Sequence, residues 1–462
     1  MESCENLSPL DGRYQNHCAE LRGIFSEFGL IQRRVFVETQ WLKFILRDLH
    51  FASVSEADLR IMESLAADFT PAQAAAVKDI EKTTNHDVKA VEYYLKDRLT
   101  AAGLGHLKEW VHFSCTSEDI NNAAYALMLQ SGRQILLDKL ESLIAGVETL
   151  GRQYRSVPML SRTHGQPATP TTVGKEFINF AWRLTLEKNI LAGVKMAAKF
   201  NGATGNYNAH YFVRPDIAWS AAGEKFVRDS LGLEPLFWTT QINPYHSVSQ
   251  LLHALIRIAA VLIDLDRDLW GYISLGYFKQ KLTYGEVGSS TMPHKVNPID
   301  FENSEGNLGL AISIMDHMAV KLLQSRFQRD LTDSTVLRNL GSVFGYLLLG
   351  FKSVLKGLGK IELNEAGVRE DLRSHPELLA EPFQTAMRIY GETNPYERLK
   401  DLTRGATLAP GVWANFIDGL NNVPVEMKAR MKNLTPETYI GLARHLVDEY
   451  FAKKGDCHAA IG

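Results

Sequence analysis

Apolar residues recur at spacings of three and four along most of this chain and alternation at spacing two is scarce, so the pattern predicts an all-α protein. The first quarter carries helical patterns of medium length, residues 31–49 and 74–99 among them, interrupted at Pro71, Gly103 and Gly105. Very long runs follow, over residues 121–153, 172–200, 250–281, 308–324 and 334–359. From about residue 363 the patterns shorten and are punctuated by Pro376, Pro382, Pro395 and Pro410. The expected organisation is an N-terminal helical domain (1–111), a central bundle of long helices (112–362) and a smaller C-terminal helical domain (363–462). Residues 251–263 and 343–358 are apolar on more than one helix face. A helix covered in this way needs partners on several sides, which predicts an oligomer with a multi-helix core.

Composition narrows the function. A chain of 462 residues with 45% hydrophobic content has ample length for a large core. Its formal net charge is -3 and no block of like charge occurs, so neither nucleic acid nor an anionic membrane is an expected partner. A ligand must be sought in a pocket. No uninterrupted run of about twenty apolar residues is present, and the opening MESCENLSPLDGRY has no basic segment followed by an apolar one. A cytoplasmic protein is the expectation. Cys4, Cys18, Cys115 and Cys457 are scattered, without C-x-x-C spacing, which argues against a disulfide frame or a zinc site and predicts reduced thiols.

Chemistry-bearing residues gather in three polar stretches, each next to a long helical run. The most informative is 285–307, GEVGSSTMPHKVNPIDFENSEGN. Asn297 followed by Pro298 is a helix start, and Asp300 and Glu302 suit the positive end of that helix. Lys295 stands just outside it, so ammonium and helix N–H groups together could hold a carboxylate or phosphate. Gly285 and Gly288 free the backbone around Ser289 and Ser290, which would let the loop close on a ligand. The second stretch is 112–122, HFSCTSEDINN, and the third 161–172, SRTHGQPATPTT, with His164 ahead of Pro167 and Pro170. Helix capping explains the serines and threonines; it explains the histidines and Lys295 less well. There is no Walker loop, and no G-x-G-x-x-G ahead of a helix. Residues 326–339, RFQRDLTDSTVLRN, combine Arg329 and Arg338 with Ser334 and Thr335; on spacing alone a surface ion-pair cluster with Asp330 and Asp333 competes with an anion site.

The run GSSTMPHKVNP, eleven adjacent positions from 288 to 298, resembles the signature of the fumarase/aspartase superfamily, lyases that release fumarate by breaking a C–N or C–O bond. Fumarases and aspartases are expected to have glycine at the position of His294, and argininosuccinate lyases usually glutamine. Histidine there, continuing into VNPIDFENSEGN, is similar to the branch acting on succinylated purine nucleotides. The resemblance implies a three-domain all-α fold, a homotetramer whose active sites are shared between subunits, and no metal or organic cofactor. It implies Ser289 as the base that takes a proton beside a carboxylate, Ser290 as a substrate contact, and His164 as the acid protonating the departing nitrogen, oriented by Glu302. Lys295 and Asn297 suit the developing charge. By the same resemblance Arg329, Ser334, Thr335 and Arg338 hold a phosphate, together with Arg13 and Tyr14 of DGRY. TTNHDVKAVEY, residues 83–93, matches the same branch and puts Asn85, His86 and Asp87 at the substrate, although a histidine at a helix start also serves as a structural hydrogen-bonder. Thr116, Ser117, Gln241 and Asn303 carry over as further contacts, and His112 as a support for the acid. The rivals are an argininosuccinate lyase-type enzyme and a catalytically silent structural relative of the kind known among lens crystallins.

Overall fold

The structure, a computed structural model, describes residues 5–281, 292, 296–403 and 411–459, residues 455–459 by their backbone alone. These residues are mostly helical, and the strands among them form three two-stranded ribbons. All-α is therefore the right class. The chain divides into two compact units of interleaved segments: Met1–Glu141, Leu186–Ile263 and Asn303–Ser353 make the first, and Ser142–Thr185, Asp264–Glu302 and Val354–Gly462 the second. Five long helices, Ser117–Gln153, Val173–Gly193, His246–Ser274, Ile299–Lys321 and Leu340–Lys360, give residues to both.

Four expected stretches are interrupted: 334–359 divides into the helices Thr332–Leu337 and Leu340–Lys360, and three others break for local reasons. The 74–99 pattern resolves into helices Pro71–Thr84 and Asp87–Ala101, because Asn85 adopts φ 49° at the C-terminus of the first and His86 caps the second. The run after Gly193 leaves the helix, and Ala197–Lys199 pairs in parallel with Glu234–Leu236. The helix His246–Ser274 stops before Gly276, whose φ of 73° no other residue type adopts readily, and Phe278–Gln280 pairs antiparallel with Ile361–Leu363. By length and composition His246–Ser274 is apolar enough to cross a bilayer, yet 61% of its most apolar window is buried within the chain, as in a core helix.

The first unit is centred on aromatic packing. Trp41, from the helix Glu27–Lys43, lies 4.7 Å from Phe200 and 5.0 Å from Phe226, ring centroid to centroid, in tilted and edge-on arrangements. His210 belongs to the same cluster, 4.8 Å from Trp219 and 5.5 Å from Tyr207, and is 1% exposed. Neither of its ring nitrogens has a hydrogen-bond partner among the described residues. Burial in this apolar box pushes its pKa down to about 4.

The second unit contains an antiparallel hairpin, Pro158–Thr163 with Gln166–Thr172, and a separate apolar core of Phe383, Met387, Leu399, Ile417 and Leu420. The hairpin replaces the expected loop at 161–172. Its two turn residues, His164 and Gly165, both have positive φ (55° and 74°), the type I′ turn that matches strand twist. Arg162 anchors the hairpin by donating to Asp371 at 2.6 Å, and Tyr277 donates to the same carboxylate.

His210 makes stability depend on acid. The unfolded chain protonates this imidazole near its ordinary 6.5 and the folded one only near 4, so between those values the unfolded state binds more protons and stability falls as pH falls. Thermal unfolding at pH 7 and pH 5 should show this loss, and His210→Phe should shrink it by roughly 1–2 kcal/mol. An unchanged pH slope in the variant would assign the loss to other groups.

Candidate active site

Several of the expected substrate residues of the first unit make polar contacts around two places: Asp87, which meets Arg338, and the start of the longest helix, which meets His86, Gln241 and Arg329. Ending a helix at Asn85 and starting the next at Asp87 exposes Asn85 and His86 at the junction. The Lys89 N–H donates to His86 Nδ1 at 3.1 Å, so the proton of neutral His86 belongs on Nε2, and that nitrogen faces Ser117 Oγ at 3.5 Å. The structural hydrogen bond at the helix start is thus made by the imidazole that was expected at the substrate. Asp87 receives Arg34 Nη2 at 2.6 Å and Arg338 Nη2 at 3.2 Å. Burial opposes charge on Asp87, but the two guanidiniums outweigh it and hold the carboxyl below the usual range. Arg338 also reaches Glu27 at 3.4 Å and remains exposed.

Thr116 and Ser117 open the longest helix. Asp119 accepts the Thr116 N–H at 2.9 Å with Oδ2 and pairs with Lys199 Nζ at 2.9 Å through Oδ1. Lys199 is wholly buried, and its other donors go to the carbonyls of Gly202 at 2.8 Å and Gln241 at 2.9 Å. Gln241 is therefore fixed to the helix start through a buried ammonium, while its side chain donates to the Ala203 carbonyl at 3.0 Å. Next to Ser117, Glu118 is 2% exposed; it accepts from Tyr245 Oη at 2.7 Å and meets Arg329 Nη1 at 3.5 Å. Arg329 thus pairs with Glu118, whereas Asp330 accepts from the N–H groups of Arg326 and Thr332. Ser334 follows Asp333 in the short helix Thr332–Leu337, its N–H on Asp333 Oδ1 at 2.8 Å, and Thr335 is exposed.

Two groups stand outside these contacts. Tyr14 donates to Asn303 Oδ1 at 3.4 Å, and Asn303 in turn donates to Ser353 at 2.7 Å; Arg13 is exposed beside the Tyr14 ring. His112 Nδ1 donates to the fully buried Glu38 at 2.6 Å. Burial disfavours the imidazolium of His112, but Glu38, with Glu92 and Asp119, overcomes this and raises its pKa.

In the second unit His164 sits exposed at the hairpin tip, without a hydrogen-bond or ion-pair partner among the described residues. Glu302 accepts from Trp270 Nε1 at 3.1 Å. Asn297 is half-buried just before the helix Ile299–Lys321, whose first N–H bonds go to the Pro298 carbonyl. Ser289, Ser290, His294 and Lys295 lie outside the described residues.

Comparison with known proteins decides the family. Residues 12–313 match the family described as Lyase, and residues 325–440 the one described as Adenylosuccinate lyase C-terminal. The chain is 50% identical over 449 residues to an adenylosuccinate lyase of Vibrio cholerae, covering 96% of this chain and 98% of that one. It is also 50% identical over 454 residues to the enzyme of the same name from Escherichia coli, covering 97% and 99%. The chain belongs to the adenylosuccinate lyase family. Solved structures agree on the fold: a fumarate lyase from a Mesorhizobium species superimposes with a TM-score of 0.76 at 17% identity, over 94% of this chain and 97% of that one. A 3-carboxy-cis,cis-muconate lactonizing enzyme from Pseudomonas putida gives 0.73 at 18%, over 94% and 96%.

As a member of the adenylosuccinate lyase family the chain carries a layer behind the expected contacts that sequence reading missed: Arg34, Glu38, Glu118, Asp119, Lys199 and Tyr245. One signal was available. Arg34 and Glu38 stand four apart on a helix face otherwise lined by Leu30, Ile31, Val35 and Leu42, which marks two charges aimed into a core.

The Asp119–Lys199 pair should be indispensable for this layer. Lys199→Met leaves a buried carboxylate without its cation and is expected to destabilise by about 3–5 kcal/mol, read as a lowered denaturant midpoint. A loss under about 1 kcal/mol would show that solvent or another cation reaches Asp119.

Proposed function

We propose that this chain eliminates fumarate from adenylosuccinate, giving AMP, and from the succinylated aminoimidazole carboxamide ribotide, in the same site. Membership of the family supports the reaction. The observation that supports the substrate reading is that the exposed Arg338 and the half-buried Arg329 each rest against a carboxylate, Asp87 and Glu118, and that the chain neighbours of those carboxylates, His86 and Ser117, meet at 3.5 Å. Ser334, Thr335, Arg13 and Tyr14 complete the phosphate contacts, and Asn85, Thr116, Gln241, Ser290 and Asn303 those to the rest of the nucleotide and its succinyl arm.

The chemistry follows from the residue types. A base must remove a weakly acidic proton beside a carboxylate whose developing charge needs stabilising. Ser289 is the base, and Lys295, Asn297 and the N-terminus of the helix Ile299–Lys321 receive the charge. His164 protonates the departing nitrogen, a role an imidazole fills near neutral pH. It is supported by Glu302, with His112 as an accessory.

A homotetramer with shared sites fits the surface. His164 occupies an exposed turn, where it suits the site of a neighbouring subunit better than a pocket of its own. Trp182, Leu186 and Ile190, each about half exposed, form an apolar stripe of spacing four on the helix Val173–Gly193. In this reading residues 112–362 supply the tetramer core, flanked by 1–111 and 363–462, and the enzyme works in the cytoplasm, with Cys18 and Cys115 as free thiols.

The decisive assay offers adenylosuccinate and argininosuccinate separately to the purified protein and follows fumarate; turnover of argininosuccinate alone would overturn the substrate. Ser289→Ala should lower kcat by at least about 10²–10⁴-fold while substrate still binds. Mixing inactive His164→Ala and Ser289→Ala proteins under subunit exchange should restore activity, and continued silence after confirmed exchange would rule out shared sites.

A further inference from the structure

Behind Arg329 lies a buried acidic pair with less positive charge than it needs. Glu118 and Asp333 are 2% and 5% exposed, and the Tyr245 hydroxyl stands between them, 2.7 Å from Glu118 Oε1 and 3.5 Å from Asp333 Oδ2. A hydroxyl has one proton to donate, so Tyr245 serves one carboxylate fully and the other poorly. The cation of the group is Arg329, in a single contact of 3.5 Å to Glu118 Oε2. Lys199, which also faces Glu118, is committed to Asp119, and His86 meets Ser117, the chain neighbour of Glu118, at 3.5 Å. Two carboxylates against one guanidinium leave the group negative. A dianionic phosphate arriving at Arg329 would make it more so, in surroundings too dry to screen the charge.

Resting on the reading of Arg329 as a phosphate contact, we propose that Glu118 is a positioning residue, holding Arg329 in the free protein and releasing it to the nucleotide phosphate by taking up a proton from solvent. The proton goes to Glu118 Oε2, the oxygen facing Arg329, and Oε1 goes on accepting from Tyr245. The guanidinium, no longer drawn to a carboxylate, turns its donors to the phosphate oxygens. The free protein is already poised for this: burial, assisted by Asp333, raises Glu118 to about 7, against the lowering effects of Tyr245, Arg329 and Lys199.

The test is calorimetry of AMP binding to the intact protein in buffers of different ionisation enthalpy, which counts the protons exchanged. Uptake of roughly half a proton per AMP at pH 7, rising toward about one at pH 8, is expected, and none with adenosine. Phosphate held by arginine would itself release protons, the opposite sign. Glu118→Gln should bind AMP without uptake, and more tightly than the unaltered protein at pH 8. Tyr245→Phe removes the hydrogen bond that favours the charged carboxylate and should move the uptake profile to higher pH, which tests the idea should the glutamine variant fold poorly. AMP binding without proton uptake would overturn the proposal, as would uptake undiminished in Glu118→Gln, which would assign the proton to a histidine such as His86. Failure of AMP to bind any better than adenosine would instead remove the phosphate reading of Arg329.

Discussion

The candidate site is built on one buried ion pair. Carrying Asp119 and Lys199 into a dry interior is costly unless every polar atom finds a partner. Here Asp119 also accepts the N–H groups of Thr116, Asn201 and Gly202, and Lys199 donates to two backbone carbonyls besides the carboxylate. Asn122 joins the same set, donating to the Lys199 carbonyl and accepting its N–H. Three stretches far apart in sequence, around residues 116, 201 and 241, become one hydrogen-bonded body. Such bonds are directional, so they fix Thr116, Ser117 and Gln241 more sharply than apolar packing would.

Backbone conformation contributes to the same end. Asn85, His112 and His164 all adopt φ between 49° and 60°, a region that side chains other than glycine enter at a cost. Each belongs to a stretch singled out for chemistry. At Asn85 the conformation breaks what would otherwise be one helix and exposes His86; at His164 it forms a two-residue turn that carries the imidazole to a tip. Gly205 shows the same demand in its strongest form, since a Cβ there would stand 2.3 Å from the Thr239 carbonyl oxygen, beside the segment leading to Gln241.

Two acidic residues of the first unit show how surroundings set charge. Asp87 lies between Arg34 and Arg338 and is held ionised. Glu118 is more deeply buried, has one loose guanidinium and a second carboxylate nearby, and is pushed toward the neutral form. The arginines read as phosphate contacts thus rest against carboxylates of opposite tendency: Arg338 against a permanent anion, Arg329 against a titratable one. An anion that took either arginine would compete with its carboxylate, and the cost of competing differs between them.

The sequence by itself determined the helical class and the long helices, because spacing of three and four persists whatever those helices pack against. It also determined the family, because GSSTMPHKVNP and TTNHDVKAVEY are contiguous and are read without knowing where they lie. Tertiary structure alone decided what stands behind them. Nothing near Glu118 in the chain announces Tyr245 or Asp333, 127 and 215 positions away, or that Asp119 is matched by Lys199 rather than by a nearer cation. The hairpin at 158–172 was equally hidden, since its turn rests on two positive φ angles and its strands on an anchor from Arg162 to Asp371. Periodicity records which face of an element is dry, whereas a polar network forms only where distant segments bring complementary donors and acceptors together out of water.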